Sequence, residues 1–436
     1  MNGSLTRRDF LRVSGTALVG AGALLAVGCG GEGGNGSLKL VFWDNLFELT
    51  DRPKSQWFIT KAIEKFEDKY PDIEVDRVSQ SPDITTYYNQ FRAAGMSKEG
   101  PDVATLFAGG PAQSFSDFLE PLDQYFNSEE ISQLSGWETV RKNFSPNGEI
   151  IAAPYGAGSY FEVMYNKELF GKAGIDNVTP PTTWEDFLQF AQEIKATGAT
   201  PVVIGEQEGY AGAWIMATLV GGQIGTDGFF KMRRRELPID DQSMIIGYEN
   251  YRKLYELGLT NEDAGSKTNE QGQQMFIQGE GTMLIQGGWF NQPVVDAMGD
   301  NVGNFPIPTL AGALHAGGIA GGPNVALGVT NYSEYKEEVV KFIKFLLQPE
   351  IIDMYVKIHG TEPSNNKNAD LNAIDNPLLK SQAEWLKAGN TIYPFDNIMP
   401  QDINDLFYRM NATVFTGKTS PEAAADRLQQ EYSASA

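Results

Sequence analysis

Leu-Lys-Leu-Val-Phe-Trp at positions 38–43 alternates as a β-strand does and opens the first folded part of this chain. Apolar residues then recur on one helical stripe across positions 59–70, and Pro71 ends that helix. Extended stretches return at positions 73–78 and 101–107. Because strands that alternate with helices usually pair in parallel, this part of the sequence predicts an α/β architecture.

The alternation restarts further along the chain. Further strands are predicted at 150–155, 161–165, 202–205, 281–285 and 325–329, the first of which breaks at Gly156. Further helices are predicted after Thr183, at 339–347, from Pro349 to Gly360 and after Ser420. Hydrophobic residues make up 41% of the 436 residues. That composition and length allow two domains, each with a packed interior.

The first 28 residues have the pattern of an export signal. Two arginines, Arg7 and Arg8, precede an uncharged run at positions 13–28, which is shorter than the roughly 20 residues of a transmembrane anchor. The pair resembles the twin-arginine export signal. Leu25-Ala26-Val27-Gly28-Cys29 resembles a lipoprotein cleavage box, although Ala26 stands where leucine is usual. We expect a signal peptide at 1–28, lipidation of Cys29 and a flexible tether at 29–37.

Cysteine content and charge restrict the chemistry. Cys29 is the only cysteine, so the fold must be stable without internal disulfides. The formal charge is −22, and the signal contributes Arg7, Arg8, Arg12 and Asp9, a net +2, which leaves about −24 for the mature chain. Nucleic acids and anionic surfaces are poor partners for such a charge. We therefore expect no nucleic-acid partner, and we attribute the charge to solubility rather than to a cationic ligand.

Catalytic and cofactor motifs are weak. Glycines at 31, 33 and 36 match a dinucleotide fingerprint by letter but lie in the tether, and Gly417-Lys418-Thr419 lacks the preceding strand of a phosphate loop. His315 and His359 lie far apart in sequence, without neighbouring cysteines. The sequence thus predicts no metal, no cofactor and no enzyme. A glycosidase remains an alternative, because 56 acidic residues can always contain a suitable carboxylate pair.

Several segments together resemble the extracytoplasmic solute-binding proteins of ABC importers, in particular the sugar-binding group that includes maltose-binding protein. The matching segments occur in family order over nearly all of the mature chain: 40–44, 100–103, 151–155, 164–174, 181–187, 279–289, 321–329 and 360–364.

This resemblance implies an α/β, type II-like periplasmic-binding-protein fold with two lobes joined by hinge crossovers. The N-terminal lobe would comprise 38–153 and 325–391, and the C-terminal lobe 157–320 and 394–436. The protein would be a monomer, lipid-anchored at the outer face of the cytoplasmic membrane. Its lobes would close on a carbohydrate, and permease subunits would recognise the closed state. A polyol, a polyamine, glycerol phosphate or an oligopeptide remains an alternative ligand.

The resemblance also implies a ligand site. A sugar ring is bound by an aromatic side chain on its C–H face and by carboxylates or amides on its hydroxyls. Trp289, which follows two glycines, is the strongest candidate for stacking, and Leu406 and Phe407 match a second platform only loosely. The full predicted contact set is Asp44, Asn45, Asp83, Phe107, Tyr155, Tyr160, Trp214, Trp289, Asn291, Gly322 and Glu362. Helix capping, hinge support or core packing is the alternative role for several of them.

Overall fold

The computed structural model describes residues 37–48, 53–175, 178–360, 363–370, 372, 374–388 and 391–435. The predictions for the export signal, Cys29 and Glu362 fall outside these residues, as does the tether up to residue 36. Among the residues that the structure describes, every helix is too short or too polar to cross a bilayer.

The chain forms nine strands and fifteen helices within the described residues. The strands are β1 (Leu38–Asp44), β2 (Ile73–Ser79), β3 (Val103–Phe107), β4 (Ala153–Asn166), β5 (Val202–Val203), β6 (Met283–Gly287), β7 (Val302–Pro306), β8 (Ile319–Val329) and β9 (Thr391–Ile392). The helices are α1 (Phe58–Lys69), α2 (Ile84–Ser97), α3 (Gly110–Gln113), α4 (Ser128–Gln133), α5 (Lys167–Lys172), α6 (Trp184–Ala196), α7 (Tyr210–Arg233), α8 (Gln242–Glu256), α9 (Asn269–Ile277), α10 (Asn291–Met298), α11 (Lys336–Leu346), α12 (Pro349–His359), α13 (Pro377–Ala388), α14 (Gln401–Phe415) and α15 (Pro421–Ala434).

Local sequence signals explain several helix boundaries. The Thr183 hydroxyl accepts a hydrogen bond from the Asp186 backbone N–H at 3.1 Å and begins α6. The Ser420 hydroxyl does the same for α15, with Pro421 in the first turn. Gly360 ends α12 with φ of 67°, a conformation that glycine adopts without strain. These three boundaries agree with the sequence prediction.

The strands form one mixed sheet in the order β2-β1-β3-β8-β4-β6-β5, with β7 on β4 and β9 on β8. β1 pairs in parallel with both β2 and β3, as expected. β8, however, runs antiparallel to β3 and to β4. Purely parallel pairing was therefore wrong, because β8 is a return strand that enters the sheet between β3 and β4.

β4 also departs from the prediction. The separate strands expected at 150–155 and 161–165 form one strand of 14 residues, with a register shift between Tyr155 and Gly158. The break expected at Gly156 is thus an irregularity inside a continuous strand. Irregularities of this kind bend a strand without ending it.

Two large clusters of buried side chains flank the middle of β4 and β8. The first cluster draws its residues from 40–155 and 325–383. The second draws them from 161–320 and 392–432, with the addition of Phe144. Each cluster combines segments that are distant in sequence, so chain crossings at β4, β8 and β9 connect the two interiors.

Candidate ligand-binding site

Polar and aromatic residues lie together near the carboxyl ends of β1 and β3, which form the first edge of the candidate site. The Thr105 hydroxyl donates to Asn45 Oδ1 at 3.0 Å and accepts from the Asn45 backbone N–H at 3.3 Å. Asn45 and Phe107 are half-buried. Asn45 Nδ2 has no hydrogen-bond partner among the described residues. A ligand oxygen at this edge could therefore satisfy a donor that is otherwise costly to bury.

Asp44 lies beneath this edge and is completely buried. Its Oδ2 accepts from Arg77 Nε at 2.8 Å, and its Oδ1 accepts from the backbone N–H groups of Leu46 and Phe47 at 2.9 and 3.1 Å. Arg77 Nη2 also donates to Glu48 at 3.0 Å. Burial raises the pKa of the Asp44 carboxyl, although Arg77 opposes the shift. Asp44 thus fixes the loop after β1 and is not itself accessible.

A second edge, at the end of β6, carries an aromatic cluster. Trp289 lies 5.3 Å from Trp214 and 6.1 Å from Phe161, measured between ring centroids. Trp289 is 36% exposed, whereas the other two rings are buried. The Trp289 ring lies over Gly287, where a Cβ atom would overlap it. Trp289 is therefore partly open to solvent, and the two buried rings contact it in edge-to-face arrangements.

The strand register shows how the two edges are related. Phe107 at the end of β3 pairs with Val325, which pairs with Tyr155 on β4. Gly287 at the end of β6 pairs with Phe161 on β4. Since β3 runs parallel to β4 and β6 runs antiparallel to it, the two carboxyl ends point toward each other. At about 3.3 Å per residue, the six-residue step along β4 separates the two ends by about 20 Å in the strand direction.

Most of the remaining predicted residues are buried. Tyr155 is completely buried in the first cluster, and Tyr160 is 3% exposed. Gly322 is buried beneath an aromatic ring. Asn291 is fully buried, and neither polar atom of its amide has a partner among the described residues. Asp83 is exposed but serves as the N-cap of α2.

Comparison with known proteins identifies the family. Residues 51–352 match the model described as bacterial extracellular solute-binding protein. The chain belongs to this family. A curated relative, the sn-glycerol-3-phosphate-binding periplasmic protein UgpB of Agrobacterium fabrum, is 24% identical over 402 residues, which cover 85% of this chain and 87% of that protein.

Solved structures show the same fold. A chitin oligosaccharide binding protein superposes with a TM-score of 0.72 and 20% identity, over 91% of this chain and 98% of the other. Maltose-bound MalE3 of T. maritima gives 0.62 and 21%, over 92% and 100%. The expected two-lobe α/β fold of periplasmic solute-binding proteins is thereby confirmed. As a member of this family, the chain is an exported binding subunit of an ABC importer.

Two tyrosines that the sequence analysis did not single out lie beside the candidate site. Tyr210 begins α7, one turn before Trp214, and is 40% exposed. Its ring contacts that of Tyr408 at 5.1 Å, and the Tyr408 hydroxyl donates to Asp396 Oδ2 at 3.0 Å. Residues one helical turn apart share a face, so a Tyr-x-x-x-Trp pattern at the start of a helix was the signal that could have identified Tyr210.

The loosely matched platform at Leu406 and Phe407 is buried instead. Both side chains belong to the second cluster, and Phe407 packs on Phe395 with ring centroids 4.8 Å apart. Tyr408, the next residue of α14, is the half-buried one. A shift of one residue turns a helical side chain by about 100°, which is enough to exchange a core position for a surface one.

Two buried carboxyl groups lie near the second edge. Glu162, next to Phe161 on β4, accepts a hydrogen bond from Asn304 Nδ2 at 2.7 Å. Glu206, before α7, accepts one from the Gly212 backbone N–H at 3.1 Å. Burial raises the pKa of each carboxyl to about 8. Over the described residues, no group of three histidine, cysteine or acidic side chains is arranged to hold a metal ion.

Proposed function

We propose that this protein binds a neutral carbohydrate between its two lobes and presents it, chemically unchanged, to the permease of an ABC importer. The observation that supports this most directly is the partial exposure of Trp289, which is held in place by edge contacts with Trp214 and Phe161. A partly exposed aromatic ring can cover the C–H surface of a sugar ring. Asn45, at the first edge, supplies an amide donor that has no partner among the described residues and could bind a hydroxyl.

The proposed lobes are 38–153 with 325–391 and 157–320 with 394–436. The two clusters of buried residues support this division. Along the chain, the buried residues pass from the first cluster to the second between 155 and 161, and back to the first between 320 and 325. The crossovers would act as the hinge. A ligand that contacts both lobes favours the closed arrangement in proportion to its differential affinity.

Glycerol phosphate is the second candidate ligand, since the curated relative UgpB is described as binding it. A phosphate dianion calls for an available cation. At the first edge, the cation among the described residues is Arg77, whose guanidinium already contacts Asp44 at 2.6 Å and Glu48 at 3.0 Å. Because Arg77 is already paired with two carboxylates, the first edge favours an uncharged ligand.

Export and anchoring belong to the same proposal. The twin-arginine pattern at Arg7 and Arg8 and the box ending at Cys29 would deliver the protein to the outer face of the membrane. The lipid on Cys29 would hold it there as a monomer, and the tether would let the lobes reach the permease.

A thermal-shift screen tests the ligand class. Maltose, chitobiose and xylobiose are compared with glycerol 3-phosphate and spermidine, because a ligand that prefers the folded state raises the melting temperature. Replacing Trp289 with alanine should weaken the best sugar by about 1–2 kcal/mol. Tyr335→Ala is the matched control, since Tyr335 is 37% exposed on another part of the surface. Stabilisation by glycerol 3-phosphate alone would reject the neutral-sugar proposal.

A further inference from the structure

A short hairpin at residues 141–150 has an unusual backbone. Arg141 pairs with Ile150, and the Lys142 backbone N–H donates to the Glu149 carbonyl at 2.9 Å. At its turn, Asn143 and Phe144 both have positive φ, 58° and 51°. Left-handed backbone is uncommon for any residue with a Cβ atom and rare for an aromatic one. Such a conformation persists only where surrounding contacts hold it.

Two contacts that hold Phe144 come from the end of α7 and from the residue that follows it. The Phe144 ring stacks on Phe230 with centroids 5.0 Å apart and an interplanar angle of 23°. Arg234 Nη1 donates to the Phe144 carbonyl at 2.7 Å. Phe144 belongs to the second cluster, whereas Val140 and Ile150, at either side of the turn, belong to the first. The turn thus inserts one aromatic ring from the first interior into the second.

Phe230 is placed on a distinct part of its helix. Gly225, with φ of 67° and ψ of 179°, interrupts α7 five residues earlier. Directly after it, the Thr226 hydroxyl accepts from the Tyr393 backbone N–H at 2.9 Å and donates to the Thr391 carbonyl at 3.4 Å. The end of α7 that carries Phe230 is therefore hydrogen-bonded to β9 and the residue after it, and β9 is one of the segments that connect the two interiors.

Beside this contact lies a groove of about 430 Å³, bordered by Trp137 and Arg141 on one side and by Thr226 and Asp227 on the other. The two sides are thus not closely packed over the whole of this region. The Phe144–Phe230 stack and the Arg234 hydrogen bond are therefore localised contacts between the two sides.

We propose that the Phe144–Phe230 stack and the Arg234 hydrogen bond to the Phe144 carbonyl together form a latch, which holds the two lobes in the arrangement seen here, in which Trp289 is partly open to solvent. Loss of the stack removes a contact that this arrangement makes, so the population moves toward the alternative arrangement. The latch acts without touching the ligand and would operate whatever the ligand is.

Distances between the lobes test the latch directly. Nitroxide labels are attached to Glu129→Cys and Gln192→Cys in a chain carrying Cys29→Ser, which leaves no other cysteine. Both label positions are exposed, one in each proposed lobe. Phe144→Leu and Phe230→Leu should each raise the minor distance population about two- to tenfold in pulsed dipolar spectra without ligand. The double variant should add little to either single one, because both remove the same stack.

Two further variants keep the test decisive. Phe187→Leu removes a stacked ring that is buried in the second cluster alone, and should leave the distances unchanged. Arg234→Met breaks only the hydrogen bond to the Phe144 carbonyl and its surface ion pairs, so it reports on the latch if the phenylalanine variants do not fold. Folded Phe144→Leu or Arg234→Met protein with the wild-type distance distribution would overturn the proposal.

Discussion

The indole of Trp289 lies directly against the Cα of Gly287, two residues earlier in the chain, and occupies the space that a side chain at 287 would need. Gly287 is the last residue of β6, so the strand ends where the ring begins to cover it. The position of the Trp289 ring thus depends on the absence of a side chain at residue 287.

Gly287→Ala should displace the Trp289 ring and weaken ligand binding by about tenfold, because the added Cβ overlaps three atoms of the indole. Titration calorimetry with the sugar identified in the screen measures the loss. Gly171→Ala is the control, since a Cβ at that helical position meets no atom within 4 Å. Equal affinity in the Gly287→Ala and wild-type proteins would mean that the ring position does not matter for binding.

Tyr210→Ala should distinguish long ligands from short ones. Tyr210 lies one helical turn from Trp214, which backs the Trp289 stacking face, so a second sugar ring is expected to reach Tyr210. We expect affinity for an oligosaccharide to fall by about 0.5–1.5 kcal/mol, with little change for its monosaccharide. Tyr255→Ala, at a tyrosine that is 37% exposed on α8, should change neither affinity. A uniform loss for both ligand lengths would contradict the assignment.

Glu162→Gln should alter how stability depends on pH. The pKa of Glu162 is raised to about 8 when folded, so the folded protein holds a proton that the unfolded chain releases above about 4.5. The contribution of the protonated Glu162 carboxyl to the free energy of unfolding is therefore complete below pH 4.5. It is lost as the pH rises toward 8, by up to about 1.4 kcal/mol per pH unit.

Urea unfolding between pH 5 and 8 measures this slope. The Glu162→Gln protein should lose less stability than the wild type across that range, and the difference should stop growing above pH 8. Glu168→Gln is the comparison, because Lys172 lowers the pKa of the Glu168 carboxyl, which titrates below this window. Parallel curves for wild-type and Glu162→Gln proteins would show that Glu162 is already ionised at pH 5.

Cys29→Ser should release the protein from membranes while leaving its binding site intact. Thioether formation at Cys29 supplies the proposed anchor, and no other cysteine is present in the chain to replace it. Fractionation of cells that express each version, followed by immunoblotting, gives the distribution. Persistent membrane association of the serine variant would rule out the lipid anchor.

Short-range patterns were enough to predict much of the fold. The strand at 38–43, the helix that Pro71 terminates and the caps at Thr183 and Ser420 were all predicted within a few residues, because each depends on neighbours in sequence. The antiparallel position of β8 could not be predicted in this way. Its pairing of Val329 with Val103 joins residues 226 positions apart, and no local pattern encodes that choice.

The site was less predictable than the fold for the same reason. Trp289 was chosen because two glycines directly precede it, which is a local pattern. The burial of Asp44, in contrast, depends on Arg77, which lies 33 residues away in a neighbouring strand. The loosely matched Leu406 and Phe407 are buried and the neighbouring Tyr408 is half-buried, because only the packing of α14 decides which side of the helix faces the interior. Periodicity identifies the apolar stripe of a helix but leaves its rotation uncertain by about one residue.

The sheet order has a consequence for how the protein is made. β3 lies between β1 and β8, so its second neighbour is synthesised more than 200 residues later. Until then a nascent chain carries β3 as an open edge, which is a surface for aggregation. The first interior can close only when the residues up to 383 have left the ribosome. Chains that terminate earlier should therefore depend on chaperones rather than persist as half-molecules.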